Sequence, residues 1–292
     1  MKTHWIWKFL PLALIWGSSF LFTELALRFL PFYGVAFWRT MLGGVAMFAM
    51  VFALKLELPR GRQWFHLWVA GLFMSAIPFS LFSFAQQSTT SSLAAIIGAT
   101  MPMFTLLAIL TIYRSEKVGL LSGIGLVIGL VGVAITLGVW EGFGANDPAA
   151  VMALLLAAVS YGIGTPYIRK FVSPMGLNPT STAAAQVTTS ALTLLPLYLF
   201  SGPLVIAAPT PESLVAILLL GVFGSGLAYR LFHSVVTQAG SAVAATVTFT
   251  NPVVATVWGI LLLGESLHWY EPVGGVVVIL GAWLAQRPGS KR

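Results

Sequence analysis

Sliding the chain along itself by roughly 150 positions brings residues 71–102 onto 221–252, with ten of the 32 positions identical. The matches are Gly71/Gly221, Phe73/Phe223, Ser75/Ser225, Leu81/Leu231, Phe82/Phe232, Ser91/Ser241, Ala94/Ala244, Ala95/Ala245, Thr100/Thr250 and Pro102/Pro252. A repeat at fixed offset means one structural unit used twice, which constrains the fold before local propensity does. Each copy holds five long apolar stretches. Five is odd, so a chain crossing a bilayer at every stretch threads its second copy upside down relative to the first. Inverted repeats with a site at their interface are an architecture of secondary transporters.

Composition supports the bilayer. Apolar residues make up 58% of the chain and charged residues 8%, where a soluble domain carries about 25% charged residues. With no cysteine, disulfides and thiolate metal sites are excluded. The net charge of +7 lies in short loops between apolar spans rather than on one soluble face, which argues against a nucleic-acid partner. A spanning helix needs about 20 mostly apolar residues. The candidates are 6–27, 33–54, 64–86, 91–112 and 118–138, then 148–168, 179–200, 213–236, 241–263 and 270–286. Breakers fill the connections: Pro31, Pro59-Arg60-Gly61, Asn146-Asp147-Pro148, Ser173-Pro174 and Pro209-Thr210-Pro211. The expected fold is therefore an all-α membrane bundle of ten helices in a 5+5 inverted repeat, residues 1–140 and 141–292 forming one membrane domain.

Charge orients it. With the N-terminus in the cytoplasm, the inner side receives Lys2, Lys8, Lys55, Arg60, Arg62, Arg114, Lys117, Arg169, Lys170, Arg287, Lys291 and Arg292, and the outer side only Arg28. Positive residues favour the cytoplasmic side of short loops. Both termini are thus expected in the cytoplasm, with the protein in a plasma or inner membrane.

The stretch Trp16-Gly17-Ser18-Ser19-Phe20 resembles the WG-S-F signature of EamA-type members of the drug/metabolite transporter superfamily. Arg39, Pro102 and Glu116 extend the likeness, and Asn251-Pro252 followed by Gly264-Glu265 repeats it in the second half. The resemblance implies a 5+5 inverted bundle moving small metabolites, often outward, amino acids among them.

Several residues are candidates for the transport path. Pro102 and Pro252 fall near the middle of the fourth and ninth spans, where proline removes a backbone hydrogen bond. With Thr100, Thr250 and Asn251 beside them, they are expected to be paired hinges at a midplane cavity. Arg39 has three readings: a pair with Glu24, a group attracting a substrate carboxylate, or a side chain snorkelling to the surface. Its counterpart in the second copy is about Gln186. Ser75, Phe79, Phe82 and Gln86 share one helical stripe, as do Ser225, Tyr229 and Phe232, while Arg230 and His233 lie nearer the cytoplasm. For Phe82 and Phe232 ordinary packing is expected; Tyr229 and Arg230 read equally as packing or cavity. Trp16 and Tyr161 are related by the duplication at mid-span, and a central aromatic with a polar tip suits a cavity better than lipid. Glycines at 123, 125, 129 and 132, and at 274, 275 and 281, are expected to let the fifth and tenth spans pack closely on neighbours or a second protomer.

Phosphate-cradling G-x-x-x-x-G-K-[ST] is absent, which excludes ATP hydrolysis, and no acid lies at midplane. The expected function is a non-enzymatic secondary transporter exporting small organic metabolites, amino acids foremost, with no cofactor. Efflux of cationic drugs and a non-transporting scaffold or sensor are the alternatives. Its partners are the small-molecule substrate and the lipid bilayer, and the chain is a monomer or homodimer.

Overall fold

A computed structural model describes residues 5–113, 120–141 and 147–285. Lys2, Arg114, Glu116, Lys117, Asn146, Arg287, Lys291 and Arg292 lie outside them. Among the described residues, eight helices are long and apolar enough to cross a membrane: α1 (Ile6–Leu27), α2 (Phe32–Ala53), α3 (Gln63–Ala85), α4 (Ser91–Tyr113), α6 (Pro148–Met175), α7 (Pro179–Phe200), α8 (Pro211–Ala239) and α9 (Thr246–Leu263). Two shorter apolar helices, α5 (Leu120–Thr136) and α10 (Tyr270–Ala285), follow α4 and α9. The chain is a multi-pass, all-α membrane bundle.

Local chemistry sets the helix starts. Asp147 caps α6 by accepting from Ala149 N at 2.9 Å, and Asn178 caps α7 by accepting from Thr180 N at 2.9 Å. Thr210 and Ser213 form a reciprocal capping box at α8. A proline follows each cap at the first helical turn, where its missing N–H costs nothing.

Helix α4 is broken in the middle, and α9 is broken near its start, where the short helix Ser241–Ala245 leads into it. The first half of α4 ends at Gly98 and helix resumes at Met101; in α9 a 3-10 turn over Thr246–Phe249 gives way to helix at Asn251. Pro102 and Pro252 stand in the first turn after each break. The threonines before them respond identically: Thr100 Oγ1 donates to Ile97 O and Thr250 Oγ1 to Val247 O, both at 2.7 Å. Each of these carbonyls also accepts from the same threonine's N–H, so the hydroxyl adds a second bond at the break, inside the protein as a membrane interior demands.

Packing repeats in the same way. Helix α1 packs on α8 and α9, and α6 packs on α3 and α4; α2 packs on α8, and α7 on α3. Two further contacts, α2 with α7 and α5 with α10, join like to like. The duplicated glycines sit at these crossings. A side chain at Gly71 would meet Gln186 O at 2.7 Å, and one at Gly221 would meet Leu42 Cβ at 2.6 Å. Between α5 and α10 the approach is backbone to backbone: Gly132 faces Val278 N, and Gly281 faces Gly129. The glycines at 129, 132, 274 and 281 therefore pack the two terminal helices on each other. Gly123 has nothing within 4 Å. Without a hydrophobic drive between helices in lipid, such close contacts supply the cohesion.

π-helical turns are also duplicated. Leu72–Ala76 in α3 corresponds to Leu220–Leu227 in α8, and Ile109–Tyr113 in α4 to Gly259–Leu263 in α9.

Candidate functional site

Positions 16, 19, 20 and 23 of α1 fall on one helical face, and all four residues, Trp16, Ser19, Phe20 and Thr23, line a cavity inside the bundle. Helix α3 adds Phe79, Phe82 and Gln86, again one stripe; α2 adds Arg39 and α6 adds Tyr161. The two broken helices complete the wall at their breaks, Gly98 and Met101 from α4, Thr248 and Asn251 from α9. Solvent-accessible space inside is about 50 Å³. Gln86 also borders a wider vestibule of about 460 Å³, which Glu24, Arg28, Thr90, Glu265 and Glu271 help to line. On the far side, Tyr229 and Phe232 are fully buried and pack against Trp16, while their other neighbour, His233, lines a separate cavity of about 120 Å³. The central cavity thus adjoins the Glu24 and Glu265 end and is walled off by aromatic rings at the other.

Arg39 is the chemical centre of this cavity. It is 4% exposed, its Nε donates to Ser225 Oγ at 3.2 Å, and its guanidinium carbon lies 3.5 Å over the Phe79 ring centroid. Among the described residues no carboxylate pairs with it; Glu24 lines the vestibule instead. Burial rules out snorkelling. Arginine cannot shed its charge, so the cavity holds a fixed cation supported only by a hydroxyl and an aromatic face. Its counterpart makes the counterpart contact: Gln186 Nε2 donates to Ser75 Oγ at 3.2 Å, as Arg39 does to Ser225.

Trp16, Arg39, Phe79, Tyr161 and Asn251 are brought together at the cavity. Ser75, Thr100, Gln186, Tyr229 and Arg230 do not line it. Ser75 and Gln186 form a buried chain with His233, whose Nε2 lies 2.8 Å from Gln186 Oε1. Tyr229 OH donates to Met74 O within one π-turn, and Trp16 Nε1 donates to Gly224 O, 3.2 Å away, within the duplicate π-turn. Arg230 is tied to Thr180 Oγ1 at 2.9 Å on α7. Phe82, expected to serve packing, lines the cavity. Ser19 and Phe20, named above only within the signature stretch, and Thr23 also line it, at the spacing from Trp16 that one helical face requires.

At the vestibule, Glu265 reaches across the two halves. Gly264, in the left-handed conformation at φ +67, ends α9 and turns Glu265 toward α4. Its carboxylate accepts from Ser91 N (2.8 Å), Ser91 Oγ (2.6 Å), Ser92 N (3.3 Å) and Ser92 Oγ (2.6 Å), filling the N-terminus of α4.

The EamA-like transporter family matches residues 3–138 and again 148–286. The uncharacterized inner membrane transporter YedA of Escherichia coli strain K12 is 27% identical over 270 residues, covering 91% of this chain and 86% of that protein. An uncharacterized transporter of Archaeoglobus fulgidus is 27% identical over 277 residues and covers 93% of both chains. Protein PecM of Dickeya dadantii is 24% identical over 280 residues, covering 93% and 89%. A protein of known crystal structure superposes with a TM-score of 0.71 over 98% of both chains at 15% identity, a likeness of fold alone.

Proposed function

This chain belongs to the EamA-like transporter family, carrying small molecules across the membrane without catalysis, and we propose that it exports carboxylate-bearing metabolites, amino acids foremost. The carrying observation is Arg39, a buried cation that lines the cavity with no carboxylate partner among the described residues. A buried charge is costly until paired, so the site favours a solute that brings the missing anion. That same charge weighs against cationic drugs, the alternative cargo. Outward direction rests on the family likeness.

The mechanism is alternating access between two inverted five-helix repeats, 1–140 and 141–292, with both termini cytoplasmic. Two observations support the inversion. The family matches twice, and exchanging the halves turns the principal helix contacts described above into one another, α1 on α9 becoming α6 on α4. The distribution of lysine and arginine supports the orientation, which makes the vestibule external. Pro102 and Pro252 serve as hinges, and the walling rings on the other side must part for solute to enter from the cytoplasm.

Counterflow in proteoliposomes tests the reading. Arg39→Gln is expected to weaken carboxylates by on the order of ten- to a hundredfold, the worth of a charge-assisted hydrogen bond, and to leave neutral amides of the same skeleton unchanged. Equal loss for both, or none for either, refutes the role of Arg39.

A further inference from the structure

The hydrogen-bonding capacity of the central cavity is lopsided. Trp16 Nε1 donates to Gly224 O (3.2 Å), Ser19 Oγ to Ile15 O (2.9 Å), Thr23 Oγ1 to Ser19 O (2.8 Å), Thr248 Oγ1 to Ala245 O (2.9 Å) and Gln86 Nε2 to Phe20 O (3.0 Å). A hydroxyl has one hydrogen, so the serine and the threonines turn only lone pairs toward a ligand, and Gln86 keeps its carbonyl oxygen free. Asn251 is 6% exposed and its Oδ1 has no hydrogen-bond partner. The breaks add to the imbalance. Gly98 and Thr248 stand four residues before Pro102 and Pro252, and proline has no N–H for their carbonyls, although Thr250 N–H also reaches Thr248 O. Both residues line the cavity. Opposite these acceptors stands Arg39, stacked on Phe79 and hydrogen-bonded among the described residues through Nε alone.

We propose that this acceptor-rich wall, centred on Asn251, Thr248 and Gln86, is a subsite for a primary ammonium group of the transported molecule. The proposal rests on the Arg39 reading above, which places a carboxylate at the other pole. An ammonium carries three donors and no acceptor, so it complements a wall in which the hydroxyl and carbonyl acceptors outnumber the remaining donors, the amide N–H groups of Asn251 and the second N–H of Gln86. Amide torsions are broad, which lets Asn251 turn its oxygen to an arriving N–H. Because unpaired buried acceptors are costly, the wall discriminates by counting N–H donors as well as by charge. A quaternary amine has the charge without the donors and is excluded.

The test uses the reconstituted full chain and counterflow competition with matched probes on one skeleton: leucine, N,N,N-trimethylleucine, 4-methylpentanoate and 3-methylbutylamine. A second set is built on phenylalanine. Leucine is expected to compete best, with 4-methylpentanoate and the trimethyl compound weaker by on the order of tenfold or more. Asn251→Leu should bring leucine down to the level of 4-methylpentanoate and leave the latter unchanged. Asn251→Asp, which keeps the acceptors, should preserve the discrimination and controls for folding. If 4-methylpentanoate competes as well as leucine, the ammonium subsite is wrong while the carboxylate reading stands. If 3-methylbutylamine competes as well as leucine, the Arg39 reading has failed. Trimethylleucine matching leucine, or neither parent amino acid competing, also overturns the proposal. So does 4-methylpentanoate matching leucine only in sodium buffer, since a metal ion would then fill the wall.

Discussion

Removing the Glu265 carboxylate should loosen the joint between α9 and α4 without altering what the cavity selects. Glu265→Ala deletes four acceptor contacts at the first turn of α4. Summed as dry bonds to a charged group, at about 1.5–3 kcal/mol each, they would exceed 6 kcal/mol. That sum is too large, because Glu265 borders a vestibule of about 460 Å³ and water can take its place. What remains is the loss of a helix cap, about 1–2 kcal/mol, and of an anion at the helix dipole, up to about 1 kcal/mol. The expected cost is therefore about 2–3 kcal/mol, which lowers the melting midpoint by on the order of 5–10 °C. Ser91→Ala with Ser92→Ala removes two of the four bonds and leaves the backbone pair, so it should cost about half as much. Combining all three changes should cost no more than Glu265→Ala alone, since a broken contact cannot be broken twice. The assay is thermal unfolding in detergent beside counterflow with an unchanged substrate profile. A wild-type midpoint for Glu265→Ala, or costs that add in the triple variant, would refute the joint.

Gly132→Leu or Gly281→Leu should prevent α5 and α10 from meeting, seen as loss of monodisperse protein on size exclusion, while Gly123→Leu, with open space around it, elutes as wild type. Pro252→Ala restores an N–H for Thr248 O and should reduce counterflow at least about tenfold at normal expression, the loss of one charge-assisted bond or its geometry; an unaffected rate would remove the hinge role. Among the described residues no Asp, Glu or His lines the central cavity, so movement down a substrate gradient should persist when a protonophore collapses the pH gradient. Complete arrest would redirect attention to Glu24 or His233.

Most of the helices were legible in the sequence because their causes are local. Long apolar runs, and prolines following Asp147, Asn178 and Thr210, place starts within a residue or two. The cavity was legible where a helix keeps its phase, as along α1. It was misread across the π-turns. Ser75 and Phe79 are spaced for one helical face, but the Leu72–Ala76 turn is wound wider than an α-helix. Ser75 therefore meets Gln186, and Phe79, Phe82 and Gln86 meet the cavity. Leu220–Leu227 does the same upstream of Tyr229. Nothing in the spacing announces such a turn. The Glu24 pairing for Arg39 failed for another reason: Arg39 finds Ser225 and Phe79 on helices distant in sequence.

Gln186 and Arg39 occupy the same joint, each against the serine of the opposite half, yet only one of them is charged. Two identical chains facing each other could not arrange this; any change in one would appear in its twin, giving two buried guanidinium groups in the bundle or none. Two positive charges in a dry interior would repel, and would call for a dianion or for two solutes at once. Joining the halves into one polypeptide releases each from copying the other. The result is a single positive charge inside a nearly symmetric shell, a stoichiometry suited to one carboxylate per passage.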